Sequence, residues 1–255
     1  MLLQDIMNDL PQMLLMLPAI LLSLSLHETA HGYVAYKLGD PTARNLGRLT
    51  LNPMKHINPI GFLSMLLFGV GWANPVPINT RYFKKPKRDM AISAAAGPIS
   101  NLCLAFVFTV LLKLVMIPAQ NMITEAFWSG DIYLDNLFNN PAFFILAILA
   151  TILYLGVILN VNLMLFNLIP LPPLDGSRIA YIFLPTNFYF KVMKYERYIA
   201  IAFVVLLATT NIITEPLSKM NGYISEFLFK ITDMPSGELF YMIGLLFSRF
   251  PTFSL

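Results

Sequence analysis

Four long apolar stretches set the frame of the chain: residues 12–38, 90–117, 142–168 and 197–214. Each is long enough to cross the roughly 30 Å hydrocarbon core as a helix. Two shorter stretches, 59–73 and 239–248, fall short of a full crossing. The polar segments between them differ in charge. Lys37, Arg44, Arg48 and Lys55 follow the first stretch, Arg81, Lys84, Lys85, Lys87 and Arg88 precede the second, and Arg178, Lys191, Lys194 and Arg197 precede the fourth. The segment 118–141 instead carries Glu125, Asp131 and Asp135 and no Lys or Arg. Basic loops stay in the cytoplasm, which places 118–141 outside together with the N-terminus and its Asp5 and Asp9. The tail then ends outside unless 239–248 also crosses.

Residues 59–80 lie between two basic loops, so they should enter and leave on one side. They are too short for two crossings and carry Gly69, Gly71, Asn74, Pro75 and Pro77. A non-helical re-entrant stretch fits, because such backbone survives at membrane depth when protein or a water-filled cavity surrounds it. A short interfacial helix followed by a surface loop is the other reading. Just upstream, Leu49-Thr50-Leu51 favours a short strand or hairpin near the cytoplasmic face, ended by Asn52-Pro53, with a plain amphipathic loop as its competitor.

Composition agrees with this frame. Of 255 residues, 57% are hydrophobic and 12% charged, and the mean hydropathy is +0.66. That composition specifies an all-α polytopic membrane protein, a helical transmembrane bundle whose β content is limited to the small strand or hairpin. A net charge of +3 is too small to indicate a nucleic-acid partner. The single cysteine, Cys103, lies in an apolar run, forms no internal disulfide, and reads as a helix-packing residue. The first apolar stretch lacks a basic flank of the signal-peptide kind and is expected to be retained.

Within that first stretch stands His27-Glu28-Thr29-Ala30-His31, preceded by Met13 to Leu26 without a charge. An ionisable group at mid-bilayer costs about 2.5–3.5 kcal/mol on insertion scales, so three of them in little more than one turn demand a reason. Helix positions i and i+4 share a face, and both imidazoles can grip one metal ion. Glu28 follows the first ligand directly, where its carboxylate can take a proton from water held by the metal. With a helix starting near Pro11 or Gln12, His27 lies about 20 Å into the core, toward the cytoplasmic side.

Two imidazoles leave a zinc site incomplete. His56, beside Lys55 in a basic loop, reads as structural or substrate-facing before ligand. Asp175, in Asn167-Leu-Ile-Pro-Leu-Pro-Pro-Leu-Asp-Gly176, is the stronger candidate. Pro170, Pro172 and Pro173 bend the backbone, Gly176 permits a tight turn, and the topology puts Asp175 on the same side as His27 and His31. Its competing role is a helix N-cap before Gly176-Ser177-Arg178. Asp40, in Gly39-Asp40-Pro41, reads as a turn residue.

These motifs resemble the site-2 protease family of intramembrane zinc metalloproteases, in its short stand-alone branch without a PDZ-like insert. The resemblance rests on His27–His31, Gly47-Arg48-Leu49-Thr50-Leu51-Asn52-Pro53, Asn74-Pro75-Val76-Pro77, Ala96-Gly97-Pro98-Ile99-Ser100-Asn101 and Asn167–Gly176, in order over residues 20–180. It implies a three-helix catalytic core, one zinc ion held by His27, His31 and Asp175, Glu28 as general acid and base, and Asn167 as a residue that stabilises the oxyanion or holds substrate. It also implies that Asn74-Pro75 belongs to an element guiding substrate. Asn58 stands where relatives often carry Asp, which weakens any acid role there.

The expectation is one membrane-embedded domain over 1–255, with a catalytic core at about 12–185 and a membrane-associated extension at about 186–255. It would hydrolyse a peptide bond in a transmembrane protein near the cytoplasmic end of the buried segment. A prokaryotic inner membrane is the expected location, and the partners are the lipid bilayer and a transmembrane substrate. A cytoplasmic strand near 46–51 could pair with the unwound substrate. Asn101, Asn160 and Asn162 read as interhelical glue, and Lys113 as a snorkelling side chain. Two rival readings are a divalent-cation transporter or channel using the same His/His/Asp site, and a non-proteolytic membrane scaffold. The first would more often show inverted repeats, and none is visible. The second would be expected to lack a ligand or Glu28.

Overall fold

The computed structural model describes residues 2–68, 73–129 and 134–234. The helices are α1 (Leu2–Lys37), α2 (Thr42–Asn45), α3 (Pro59–Phe68), α4 (Pro86–Trp128), α5 (Pro141–Asn167), α6 (Asp175–Ala180), α7 (Thr186–Met193), α8 (Glu196–Thr209) and α9 (Thr214–Ile231). Among the described residues three helical segments are long and apolar enough to cross a membrane: Leu14–Lys37, Pro86–Ala126 and Pro141–Asn167. Their long apolar faces carry exposed residues such as Ile99, Phe106, Leu114 and Ile145. That exposure is costly in water and neutral in lipid.

The fourth expected span is not one. The apolar run 197–214 forms α8, whose 14 residues reach only about 21 Å. Its helix stops at Thr210, which takes an extended conformation as C-cap. The stretch 239–248 lies outside the described residues. Helix α4 outruns its apolar core and takes in the first part of the segment expected as an outer loop.

The expected strand at 46–51 does not form. Gly47 sits at φ +65° after α2, and Arg48 N–H bonds back to the Ala43 carbonyl. The Thr50 carbonyl is taken by Thr29 Oγ1 and His56 Nε2 rather than by a neighbouring strand. Among the described residues β pairing amounts to one antiparallel bridge, Ile57 with Ala73. That bridge closes the chain across the short apolar stretch 59–73, within the expected re-entrant segment 59–80. The first part of that segment is helical (α3) and residues 73–79 form no helix and pair only at Ala73, while 69–72 lie outside the described residues.

The chain divides into two compact units. One combines the start of α1 with 105–159 and the chain from Ser225 onward. Its core includes Leu112, Met116 and Phe143, and Tyr154 stacks on Phe229. Lys113 donates to the Thr232 carbonyl at 2.5 Å, just past α9. The other unit comprises 21–104 and 160–224 and contains every motif singled out from the sequence.

Candidate metal centre

His27 and His31 lie one turn apart on α1, and their rings meet edge to face with centroids 4.5 Å apart. Both are buried. His31 Nδ1 donates to the Ser93 carbonyl at 2.7 Å. A carbonyl only accepts, so that nitrogen carries the proton and Nε2 keeps its lone pair. His27 Nδ1 donates to Asn101 Oδ1 at 2.8 Å. The Asn101 amide in turn donates to Asn160 Oδ1 at 3.2 Å, and Asn160 Nδ2 donates to Ser23 Oγ at 2.8 Å. This chain runs one way and leaves the Asn101 oxygen for the imidazole.

The two Nε2 atoms are 3.0 Å apart, and Asp175 Oδ2 lies 3.2 Å from His27 Nε2 and 3.1 Å from His31 Nε2. Three acceptor atoms thus converge, and Asp175 Oδ2 is buried without a hydrogen-bond donor. Only a cation or extra protons can satisfy such a set. In protonated form, hydrogen bonds from His27 and His31 outweigh the burial that would raise the Asp175 carboxyl, and hold it well below the ordinary carboxylate range. A bound divalent cation would also stabilise the ionised carboxylate. Tetrahedral zinc with bonds of about 2.0 Å spaces its ligands by about 3.3 Å. His27, His31 and Asp175 therefore fit one metal ion. Three protein ligands leave the fourth position that catalytic zinc sites keep open.

Asp175 opens α6 but does not cap it. Leu174 is the N-cap residue, no side chain caps this end, and the Asp175 carboxylate turns to the imidazoles. The turn that aims it needs Gly176, where a Cβ would meet the carbonyl oxygens of Ile169 and Leu168 at 2.3 and 2.4 Å. Gly97 on α4 backs the two rings equally closely.

Glu28 Oε2 accepts the Val76 N–H at 2.7 Å, which ties the carboxylate to Asn74-Pro75-Val76-Pro77. That segment is fastened on both sides of Val76. Arg48 Nη2 donates to the Asn74 carbonyl at 2.6 Å, and Asp40 Oδ2 accepts the Asn79 N–H at 2.6 Å. Asn74 N–H also bonds the His56 carbonyl at 2.7 Å. Asp40 is fully buried as an anchor and takes the Thr42 N–H as well. His56 is structural, buried and donating to Thr50 O at 2.7 Å. Asn167 ends α5 and donates from Nδ2 to the Leu163 carbonyl at 2.9 Å. Asn162 pairs with Asn221 of α9 and so acts as interhelical glue.

Sequence reasoning missed the environment of the rings: Ser93, Gly97, and the Asn101–Asn160–Ser23 chain. The one available signal was Asn101 closing the Ala96–Asn101 motif. Its partner His27 is 74 positions away.

A helical membrane protein with a buried His/His/Asp metal cluster and an adjoining glutamate defines the class. Residues 15–210 match the model of Peptidase family M50, and the chain belongs to that family, which is the site-2 protease family. The provisionally named zinc metalloprotease YwhC of Bacillus subtilis is 43% identical over 190 residues, covering 74% of this chain and 78% of YwhC. Rip2 of Mycolicibacterium smegmatis, named in the same provisional way, is 31% identical over 169 residues, 64% of this chain and 54% of that protein. Rip2 of Mycobacterium tuberculosis is 28% identical over 161 residues, so the chain spans about half of each Rip2. No solved structure matches. Zinc is the metal those names give, and the cluster of His27, His31 and Asp175 suits it.

Proposed function

We propose that the chain is an intramembrane zinc endopeptidase that cuts a transmembrane segment near its cytoplasmic end, as one membrane-embedded domain with residues from about 186 onward as an extension. The observation that carries this reading is the convergence of His27 Nε2, His31 Nε2 and Asp175 Oδ2 beside Glu28, on a helix long and apolar enough to span a bilayer. The basic loops support a cytoplasmic placement of the site.

His27, His31 and Asp175 would hold the ion, which when bound supplies a water of lowered pKa and a Lewis acid for the scissile carbonyl. Glu28 takes the proton as attack proceeds and returns it to the leaving amine. The Val76 N–H on Oε2 keeps the Glu28 carboxylate in one orientation, so the proton acceptor is preset. Asn167 is the candidate donor to the developing oxyanion, through the amide proton that Leu163 does not use. Burial around the rings keeps bulk water from the reacting peptide.

The test is zinc content and cleavage of model transmembrane segments by purified protein in detergent, for wild type and Glu28→Gln. About one zinc per chain in both proteins, with cleavage by wild type only, is the expected result. Wild type that stays folded yet binds no zinc would sink the reading. Zinc-loaded wild type that cleaves nothing but moves zinc across liposomes would favour the transporter.

A further inference from the structure

Ser23, Asn101 and Asn160 are among the most buried polar side chains in the protein, at 0, 1 and 0% exposure. They belong to three different helices, α1, α4 and α5, and all lie in the unit that holds the metal cluster. Their hydrogen bonds form a directed path from the His27 ring through Asn101 and Asn160 to Ser23, which sits one turn before His27 on its own helix. Amide glue between helices has no need of this direction. It could run the other way and present an Asn101 N–H to the ring. That orientation would demand a lone pair on His27 Nδ1 and put the proton on Nε2, the atom that faces His31 and Asp175.

We propose that Asn160 and Ser23 orient Asn101, and that Asn101 fixes His27 as the Nδ1–H tautomer with its Nε2 lone pair committed to the metal. The three are positioning residues. His31 has no such dependence, because its Nδ1–H is held by a backbone carbonyl that cannot reverse. One ligand is thus set by main chain and the other by an adjustable side-chain relay. Hydrogen-bond partners of ligand imidazoles commonly carry 10–100-fold in metal affinity.

This inference rests on the zinc-site reading, and the test separates the two. Zinc affinity of the full chain in detergent is measured by competition with a chromophoric chelator, alongside helicity and thermal melting. Asn101→Leu should bind zinc about 10-fold or more weakly than wild type. Asn101→Asp keeps an acceptor for the Nδ1–H and should restore binding to within a few-fold. Asn160→Leu should weaken zinc by less than Asn101→Leu and add nothing on top of it, because both act through one contact. Wild type without zinc removes the site reading and this inference together. Tight wild-type binding with Asn101→Leu within twofold of it overturns the relay alone, as does Asn101→Asp no better than Asn101→Leu. If Asn101→Leu does not fold, Asn160→Leu decides: unchanged zinc affinity overturns the relay, and weakened affinity at unchanged helicity supports it.

Discussion

Gly97 leaves no room for a methyl group behind the ligand rings. A Cβ there would lie 2.3 Å from His31 Nε2, 2.5 Å from His31 Cε1 and 2.6 Å from His27 Cε1. Carbon cannot approach these atoms so closely, and the helix backbone that carries it has little freedom to retreat. The rings must therefore turn, and the Nε2 atoms swing off the point they share with Asp175. Gly97→Ala should lower zinc affinity at least 10-fold while adding helix propensity of about 1 kcal/mol at that position. Gly222 on α9 is the control, since nothing lies within 4 Å of its added Cβ. Gly222→Ala should keep zinc binding unchanged. Equal zinc affinity in Gly97→Ala and wild type would show that the ligand rings are not held where the structure places them.

The irregular segment 73–79 is the element that meets Glu28, and it has no helix or sheet of its own to hold it. Its position depends on Arg48, Asp40 and Asn74. Asp40→Ala would leave the part-buried N–H groups of Thr42 and Asn79 without their charged acceptor. The expected loss is about 3 kcal/mol, read as a fall in melting temperature. Amide hydrogen exchange at Asn79 and Val76 should quicken more than in α5. Exchange unchanged at both amides would mean that Asp40 does not hold the segment. From sequence, Asp40 reads as a turn residue, because a Gly-Asp-Pro tripeptide reports local conformation and says nothing of a partner 39 positions on. Asn101 and Asn160 read from sequence as interhelical glue, and they do bond across helices, but the same limit hid the contact of Asn101 with His27. The grouping of His27, His31 and Asp175 was legible because its signals are local: a one-turn spacing in an apolar run, and a carboxylate between prolines and a glycine. Helix ends were less legible, since hydropathy stops where apolar residues stop. Helix α4 continues through Gln120, Asn121 and Thr124, which satisfy the backbone ladder without being apolar. The strand at 46–51 failed on Gly47 and on a Thr50 carbonyl committed elsewhere.

Among the described residues, polar side chains are buried between the long helices while many large apolar ones face outward. Ser23, Asn101, Thr109, Thr151 and Asn160 are inside, while Ile99, Phe106, Leu114, Ile145 and Leu149 are exposed. Polar side chains are spent on satisfying one another, and apolar ones are left for a solvent that costs them nothing. Cys103 tests this on α4. It is exposed and reduced, and it stands at the middle of the apolar run 90–117, between the buried Asn101 and Leu104. If that face meets lipid, a charged maleimide has no access to it in sealed or opened membranes, and the thiolate that must react is disfavoured in hydrocarbon. Cys103 should stay unlabelled in both preparations and react fully once the protein is unfolded in detergent. A cysteine placed at the exposed Lys84 by Lys84→Cys, in a Cys103→Ala background, should label in opened membranes without unfolding, which controls for reagent and time. Labelling of native Cys103 at the rate of the position 84 thiol would put this face of α4 in water.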